Sequence, residues 1–166
     1  NSHVATAGNS RYAVYCSAQG VKILNCEFAD VSLPGAYGIG TSTGGGVIVE
    51  NCLFHGCEHA NKASDTPGGA LNGYGYYRNC TVVSNRTVCA DYCSPVCDEK
   101  PLEIVNCVFA ENTVLTGDGT YAPSNDVTHV GAAKVRNCLV YPSDLDYSGY
   151  TSVKVEDPLF SSKKPY

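Results

Sequence analysis

The sequence predicts an all-β protein built as a parallel solenoid, and three observations support that fold class. One segment recurs: VKILNCEF at 21–28 is followed by VIVENCLF at 47–54, GYYRNCTV at 75–82, LEIVNCVF at 102–109 and AKVRNCLV at 133–140. Apolar or thiol side chains alternate with mixed positions on both sides of each central Asn. Turn-forming Gly, Asn, Ser and Thr are abundant, whereas helix-forming residues are scarce.

The recurring segment keeps its frame while the spacing between copies varies. The central residues are Asn25, Asn51, Asn79, Asn106 and Asn137, and Asp157 takes that place in a sixth copy, VKVEDPLF. The successive intervals are 26, 28, 27, 31 and 20 residues. A fixed frame with variable insertions at this spacing is typical of a solenoid, in which each coil stacks on its neighbours.

Within each copy, the alternation predicts two short strands that meet at the Asn. The inward positions lie four and two residues before the Asn and one and three residues after it. Asn tolerates the left-handed backbone conformation and its amide bonds to neighbouring backbone, so we expect it to bend the chain. Stacked copies, roughly 4.8 Å apart, would form a structural ladder of Asn25, Asn51, Asn79, Asn106, Asn137 and of Cys26, Cys52, Cys80, Cys107, Cys138.

This pattern resembles the right-handed parallel β-helix, whose tight turn between two of its three sheets commonly carries an Asn ladder. GGALNGYGYYRNCTVVSN (68–85) and VEDPLF (155–160) are similar to the repeat and closing phrases of large bacterial cell-surface β-helix proteins. The resemblance covers roughly residues 12–160 and implies about five to six coils with Asn and Cys ladders. The same fold carries pectin-cleaving enzymes, adhesins and structural proteins, so the resemblance does not select one function.

We predict a single β-helix domain over 1–166, with an opening coil at 1–20, repeat coils at 21–160 and a polar tail at 161–166. RYAVYC (11–16) is similar to a third-sheet strand. In later coils the candidates for that strand are GAYGIGTS (35–42), GGALNG (68–73) and THVGAAKV (128–135), and the predicted side loops are 55–67, 84–100 and 111–128.

The ends of the solenoid are predicted to be strand edges. Pro158 replaces the ladder Cys and cannot donate to a ladder, so its coil should lie near the end of the stack. No convincing amphipathic helix is present to cover either end. Uncovered edges tend to pair with another chain, which suggests copies of the protein as partners. Because Asn1 is not an initiator Met, we expect a processed, excised or engineered chain.

Composition excludes several classes of partner. Only 16% of residues are charged and the net charge is −5, which disfavours nucleic acid and anionic membrane surfaces. No segment is apolar enough to predict a transmembrane helix. Ten cysteines in 166 residues exceed the usage of an ordinary cytosolic protein and favour an extracellular or cell-surface location.

The cysteines divide into a ladder and a second group. For the ladder, packing as reduced thiols is the favoured interpretation, and some disulfides are the alternative. TVCADYCSPVCDE (87–99) is interpreted as a disulfide-pinned loop, and its spacing lacks the CxxC pairs of zinc sites. Three thiols cannot all pair among themselves, so the candidate disulfide loop comprises Cys57, Cys89, Cys93 and Cys97.

No catalytic residue is assigned, because the acids are scattered and no DD pair, NTD, GH or RxK signature of the pectin hydrolases is present. Glu50, Arg78, Arg136 and Glu156 share one outward column, interpreted as a surface charge ladder and alternatively as a cleft. HGCEH (55–59) could bind metal but is favoured as a polar loop. No metal or cofactor is expected, with Ca²⁺ at the GDG turn of 117–119 as the alternative.

Two further features concern the surface. Asn79 and Asn85 match glycosylation sequons, and Asn85 is expected to be the better acceptor because the turn occupies Asn79. Exposed Tyr suits contact with carbohydrate or protein, and only Tyr77 is expected inside. The clustered residues are Tyr74, Tyr76, Tyr77 and Tyr141, Tyr147, Tyr150.

The sequence therefore supports two hypotheses. The first is an extracellular, non-enzymatic structural or adhesive module that assembles end to end into filaments. The second is a polysaccharide-active lyase or hydrolase, or a carbohydrate-binding domain, whose partner is extracellular polysaccharide. A convergent set of acids on one lateral face would favour the enzyme.

Overall fold

The computed structural model describes residues 2–4, 13–16, 20–30, 32–33, 39–41, 46–59, 70–71, 73–88, 94–97, 101–150 and 152–158. In chain order its elements are β1 (Ser2–Val4), β2 (Val14–Cys16), β3 (Lys22–Leu24), β4 (Cys26–Ala29), β5 (Ser32–Leu33), β6 (Ile39–Thr41), β7 (Val47–Glu50), β8 (Leu53–His55), β9 (Glu58–His59), β10 (Gly75–Arg78), β11 (Thr81–Val83), β12 (Arg86–Thr87), β13 (Glu103–Val105), β14 (Val108–Ala110), β15 (Thr113–Leu115), β16 (Tyr121–Pro123), the 3₁₀ helix Thr128–Val130, β17 (Val135–Arg136), β18 (Leu139–Tyr141) and β19 (Lys154–Val155).

Three stacked sheets form the walls of a parallel solenoid. The first sheet has the order β1-β4-β8-β11-β14-β18-β19, and the second has the order β17-β13-β10-β7-β3. The third has the order β16-β15-β12-β9-β5, in which only β16 runs antiparallel to its neighbour. A separate pair joins β2 to β6. The predicted all-β parallel β-helix is confirmed.

The turn between the second and first sheets is made by the recurring Asn. All five residues have a left-handed φ of 52° to 55°, a conformation that Asn adopts more readily than most side chains. At the first four turns the Asn N–H donates to the next coil, as Asn51 N–H does to the carbonyl of Arg78 at 3.1 Å. On the outside, Asn106 Nδ2 donates to Asn79 Oδ1 at 3.2 Å.

A second left-handed turn, five residues after each of the first four Asn, leads into the third sheet. Asp30, Gly56, Ser84 and Glu111 occupy it with φ of 52°, 62°, 55° and 57°. An ideal Cβ on Gly56 would lie 2.7 Å from Asp30 Oδ1, which explains the glycine there. The third strand therefore begins much earlier than predicted, and the proposed side loops 55–67, 84–100 and 111–128 each begin with turn and strand residues.

The predicted third-sheet segments belong elsewhere. Within 11–16 and 35–42, β2 and β6 pair with each other and stand apart from the third sheet. Leu71 makes an isolated bridge to Cys97, and 128–135 holds a 3₁₀ helix and a turn before β17. The last three segments have strand-like composition, but β5, β9 and β15 have already made the third side of their coils before the chain reaches them.

The number of coils is slightly lower than the predicted five to six. Among the described residues, four coils have a strand in all three sheets, and partial coils flank them. The sixth copy also changes sheet: Lys154 and Val155 pair with Leu139 and Val140 of the first sheet. The interval of 20 residues is too short for a full circuit, so the chain returns directly beside β18.

The core fills the solenoid with columns of inward side chains. Phe28 and Phe54 stack with ring centroids 4.6 Å apart and planes 5° from parallel. Tyr77 is fully buried as predicted, and its hydroxyl donates to the carbonyl of Gly73 at 3.3 Å. Contrary to expectation Tyr147 is also buried, with the ring of Tyr150 edge-on at 5.3 Å. None of the helices in the described ranges is long and apolar enough to cross a membrane.

Candidate functional site

The outer face of the second sheet carries a ladder of alternating charges. Arg78 Nη2 donates to Glu103 Oε2 at 2.9 Å, and its Nη1 donates to Glu50 Oε1 at 3.4 Å. Glu103 also pairs with Arg136 through its other oxygen. The hydrogen bonds that Arg78 donates to Glu103 raise the pKa of Arg78 above its ordinary value. Each charge in this charge ladder therefore has an opposite charge on an adjacent coil.

The observed charge ladder and the predicted column differ in two residues, since the ladder includes Glu103 and lacks Glu156. Glu103 reaches diagonally between Arg78 and Arg136. It stands two positions before Val105, the residue of its strand that is in register with Arg78. Glu156 lies instead near Lys154, with Oε1 and Nζ 3.9 Å apart. The predicted column of Glu50, Arg78, Arg136 and Glu156 is therefore not formed as a unit, because the sixth copy has moved to the first sheet.

Exposed tyrosines accompany arginines on two faces. The Arg78 guanidinium lies 5.7 Å from the centroid of the Tyr76 ring. On the third sheet Arg86 pairs with Glu58 and lies 6.0 Å from the centroid of the Tyr121 ring. A cation held over an aromatic face by a carboxylate is a rigid, amphipathic surface feature.

The described Asp side chains form local turns. Asp118 Oδ1 accepts from Thr116 and from the Thr120 hydroxyl and N–H, and these hydrogen bonds lower its pKa to about 2. Asp126 Oδ1 accepts from the Thr128 N–H at 2.6 Å. Within the described part of the chain, no three His, Cys, Asp or Glu side chains are arranged to hold a metal ion.

The HGCEH segment is split by the second turn. His55 ends β8, and its Nε2 lies 2.8 Å from Glu27 Oε1 on the adjacent coil. Cys57 is buried, and Glu58 belongs to the third sheet, where it pairs with Arg86. The favoured interpretation as a polar loop is wrong, because His55 and Cys57 are buried and the segment runs from the end of β8 through a turn into β9.

Five thiols stack beneath the Asn turns as an inward cysteine column, comprising Cys26, Cys52, Cys80, Cys107 and Cys138. All five are free thiols in the structure. Each donates to the carbonyl two residues before it, at 3.2 to 3.3 Å. Burial raises the pKa of Cys107 well above the thiol range. The five thiols therefore lie one per coil along the same inner column, and their reduced state stays a prediction.

The cross-links proposed for the second cysteine group stay a prediction. Cys89 and Cys93 lie outside the described residues. Cys57 and Cys97 are both buried. The Sγ of Cys57 donates to the carbonyl of Phe28 at 3.6 Å.

A second, interior Asn ladder was not predicted. Asn85 Nδ2 and backbone N–H donate to Asn112 Oδ1 at 2.9 and 3.0 Å, and Asn112 donates in the same way to Asn125. Asn125 Nδ2 donates to the carbonyl of Pro142 at 2.9 Å. The side chains also satisfy interior carbonyls, as Asn85 Nδ2 does for Phe54 at 3.1 Å.

This interior ladder overturns the expectation that Asn85 is a glycosylation acceptor. Asn85 is 0% exposed and its amide is fully engaged, whereas Asn79 is exposed. The signal that could have identified the interior ladder is the six-residue offset of Asn85 and Asn112 from Asn79 and Asn106.

One open cavity of about 350 Å³ lies where β19 leaves the stacking pattern. Cys107, Cys138, Ser152 and Lys154 are among the residues that line it. Because Cys107 and Cys138 are only 1% and 2% exposed, the cavity does not open the cysteine column to solvent.

The family model described as a right handed beta helix region matches residues 2–157. No curated protein and no solved structure matches the chain.

Proposed function

Since the chain belongs to the right-handed β-helix family, we propose that it is an extracellular, non-enzymatic structural module. It acts as a rigid segment that attaches to a surface or joins other copies end to end. The observation that carries this proposal is the charge ladder, in which Glu50, Arg78, Glu103 and Arg136 neutralise one another along the solenoid.

The charge ladder supports a structural role because its carboxylates are committed to arginines. A glycoside-cleaving site needs two carboxyl groups facing one substrate bond, with one of them free to carry a proton. Glu50 and Glu103 both accept hydrogen bonds from Arg78, so both carboxylates already have a partner on the sheet face. The pairs also link four successive coils, as expected of a stiffened wall.

End-to-end assembly is supported by the geometry of the sheets. Strands in the second sheet are parallel and in register from β3 to β17. Among the described residues no strand pairs with the outer edges of β3 and β17. Such edges can accept a further strand, and a parallel register would place one copy on the next without reversing direction.

Electron microscopy of the purified chain, with and without reductant, tests assembly. Filaments or stacked rods are expected, with an axial repeat close to the length of one solenoid. Dispersed particles at every concentration would overturn end-to-end assembly and leave a monomeric attachment module. Growth only without reductant would instead attribute assembly to intermolecular disulfides.

Turnover of a panel of neutral and acidic polysaccharides tests the non-enzymatic part. No cleavage is expected. Cleavage that is lost in Glu50→Gln and in Arg78→Met, but retained in the matched variant Glu58→Gln on the third sheet, would overturn the proposal.

Carbohydrate binding without cleavage is a second candidate function. Tyr76 is 36% exposed and lies beside Arg78 on a flat sheet face, an arrangement that can stack on a sugar ring. Retention on a polysaccharide affinity gel that is lost in Tyr76→Ala, and kept in Tyr121→Ala, would support it.

A further inference from the structure

The core beneath the second sheet is covered unequally at the two ends of the solenoid. Two residues before the recurring Asn, the inward side chain is 0% exposed in all four later strands, at Val49, Tyr77, Ile104 and Val135. In β3, the first strand of this sheet, the same position is Ile23, which is only partly buried. The core is therefore closed at the end formed by β17, the late end, and partly open at the end formed by β3, the early end.

The segment that follows β18 closes the late end. Tyr147 is 6% exposed and belongs to the same core cluster as Val135, and Tyr150 and Val153 pack against that cluster. The Tyr150 hydroxyl donates to the carbonyl of Thr128 at 2.8 Å, which ties this segment to the 3₁₀ helix before β17. A strand added at β17 would therefore meet a core that is already covered.

At the early end the first sheet extends one strand further than the second. β1 adds to β4 of the first sheet, with Ser2 in register with Cys26. Among the described residues no strand occupies the equivalent place beside β3 in the second sheet. The result is a step one strand deep, the early step, with the edge of β3 as its floor and β1 at its side.

The backbone of β3 presents hydrogen-bonding groups to the early step. The Val21 carbonyl and the Asn25 N–H both bond to residues of β7, at 2.9 and 3.0 Å. Alternate residues of a parallel strand bond to opposite neighbours. Ile23 consequently also faces β7, whereas the N–H and C=O groups of Lys22 and Leu24 face the early step, where an added strand can pair with them.

The side chains around the early step define the kind of strand that fits it. Ile23 and Cys26 are half-buried, so the inward residue of an added strand should be apolar. Lys22 is exposed on the outer face and has no carboxylate partner among the described residues. Later coils show how such a cation is met, since Glu103 pairs with Arg78 of the adjacent strand. An added strand should therefore carry a carboxylate beside Lys22.

We propose that the early step binds an extended segment of another polypeptide, which adds to β3 as a parallel strand. The segment has an acidic residue opposite Lys22, followed by a branched apolar residue over Ile23. LEIV (102–105) of this chain has that pattern, because Glu103 and Ile104 stand at the positions of the frame that Lys22 and Ile23 occupy. The inference goes beyond the proposed function, with which it shares only the open edge of β3.

The test is a titration of the natural chain with the peptide GGLEIVGG, labelled with a fluorophore at its amino end. Fluorescence anisotropy measures binding, and hydrogen exchange locates it on the chain. Saturable binding is expected, with slower exchange of the Lys22 and Leu24 N–H groups. Exchange of the Lys154 N–H, which pairs β19 with β18 at the late end, should not change.

Changes of charge test the recognition chemistry. GGLKIVGG places a like charge opposite Lys22 and should bind about two- to fivefold more weakly than GGLEIVGG. Lys22→Glu should reverse that preference. The matched variant Lys134→Glu changes the equivalent position beside β17 and should leave the preference as it is. Both substitutions are outside the core, and circular dichroism checks that the variants fold.

Three results would overturn the proposal. The first is no saturable binding of GGLEIVGG, and the second is the same preference between the two peptides in the natural chain and in Lys22→Glu. The third is a dimer in sedimentation velocity that protects the Lys22 and Leu24 N–H groups and is not displaced by GGLEIVGG, because a second copy would then occupy the early step. Dispersed particles in electron micrographs would overturn end-to-end assembly and leave this inference standing.

Discussion

Asparagine has two structural roles in this chain, which differ in the direction that the side chain points. In the recurring turn it provides a left-handed backbone and its side chain lies outside, as at Asn51. Six residues later it points inward, and Asn85 and Asn112 are completely buried. A buried amide is tolerated only when its donors and acceptors are satisfied, and stacking identical amides satisfies them.

The interior ladder stops at Cys57, where we predict that asparagine would extend it. The Cys57 N–H already donates to Asn85 Oδ1 at 3.0 Å, and its thiol donates to the carbonyl of Phe28 at 3.6 Å. In Cys57→Asn the backbone N–H keeps its bond to Asn85 Oδ1, and the new Nδ2 would donate to Asn85 Oδ1 and, in place of the thiol, to the carbonyl of Phe28. An increase in the free energy of unfolding of about 0.5–1.5 kcal/mol is expected. Urea unfolding measures it.

Asn112→Ala is the opposite change and checks the same ladder. It leaves the N–H of Asn85 without an acceptor in the core and removes one of the two acceptors of Asn85 Nδ2, which should cost about 2–4 kcal/mol. Asn106→Gly, at an exposed left-handed turn, should change the free energy of unfolding by less than about 1 kcal/mol. Destabilisation by Cys57→Asn would contradict the role given to the ladder.

The sequence allowed the outer Asn residues to be predicted because Asn-Cys recurs five times in a constant frame. The inner ones escaped prediction because their frame holds only two consecutive Asn residues. The preceding coil has Cys57 in that place, and Asn125 comes from an insertion with no counterpart in other coils. A side chain supplied by an insertion cannot be placed by periodicity.

At the scale of elements, strand length limited what could be predicted. The strands flanking each Asn contain up to four residues and show alternation, whereas β9 and β12 have two residues each. Two residues cannot display a period of two. The left-handed residue that precedes them also varies among Asp30, Gly56, Ser84 and Glu111, so no recurring letter marked the second turn.

The free energy of unfolding should fall at alkaline pH because of Tyr147, which lies in the segment that leads to β19. Burial raises the pKa of Tyr147 to about 12, above the value near 10 of an unfolded chain. Between these values the folded state binds the proton more tightly, so stability is fully present below about pH 10 and falls as pH rises towards 12. The loss attributable to Tyr147 is at most about 2–3 kcal/mol.

Tyr147→Phe isolates this contribution. Urea unfolding of the natural chain and the variant between pH 9 and pH 12 should give curves that converge as pH rises. Tyr121→Phe changes a ring that is 46% exposed, and its curve should stay parallel to the curve of the natural chain. A constant gap between the natural chain and Tyr147→Phe would show that the buried phenol does not govern this loss.

At the scale of the whole molecule, each coil contacts only its neighbours, so stability should decrease towards the ends. Hydrogen exchange should be slowest for amides between central coils, such as the Asn79 and Val108 N–H groups. The Lys154 N–H, which pairs β19 with β18, should exchange at least roughly tenfold faster. Equal protection along the chain would indicate one cooperative unit in place of a graded stack.

The candidate site shows the same limit of prediction at this scale. The outward positions of Glu50, Arg78 and Arg136 follow from alternation along each strand. Their partner Glu103 lies at a different position of its own strand and was therefore outside the predicted column. Diagonal pairing depends on side-chain length and on the twist between coils, which no single copy of the repeat contains.

The interior ladder gives the solenoid a polarity. Backbone hydrogen bonds between coils run in both directions, as from Asn25 to Glu50 and from Thr81 to Cys52. In the interior ladder, Asn85 and Asn112 also donate back to the carbonyls of Phe54 and Val82. The side-chain carbonyls of Asn85, Asn112 and Asn125, in contrast, all accept from the preceding member of the ladder, and so they point the same way. Their dipoles add along the axis as those of an α-helix do. The two ends of the solenoid are therefore electrostatically unlike.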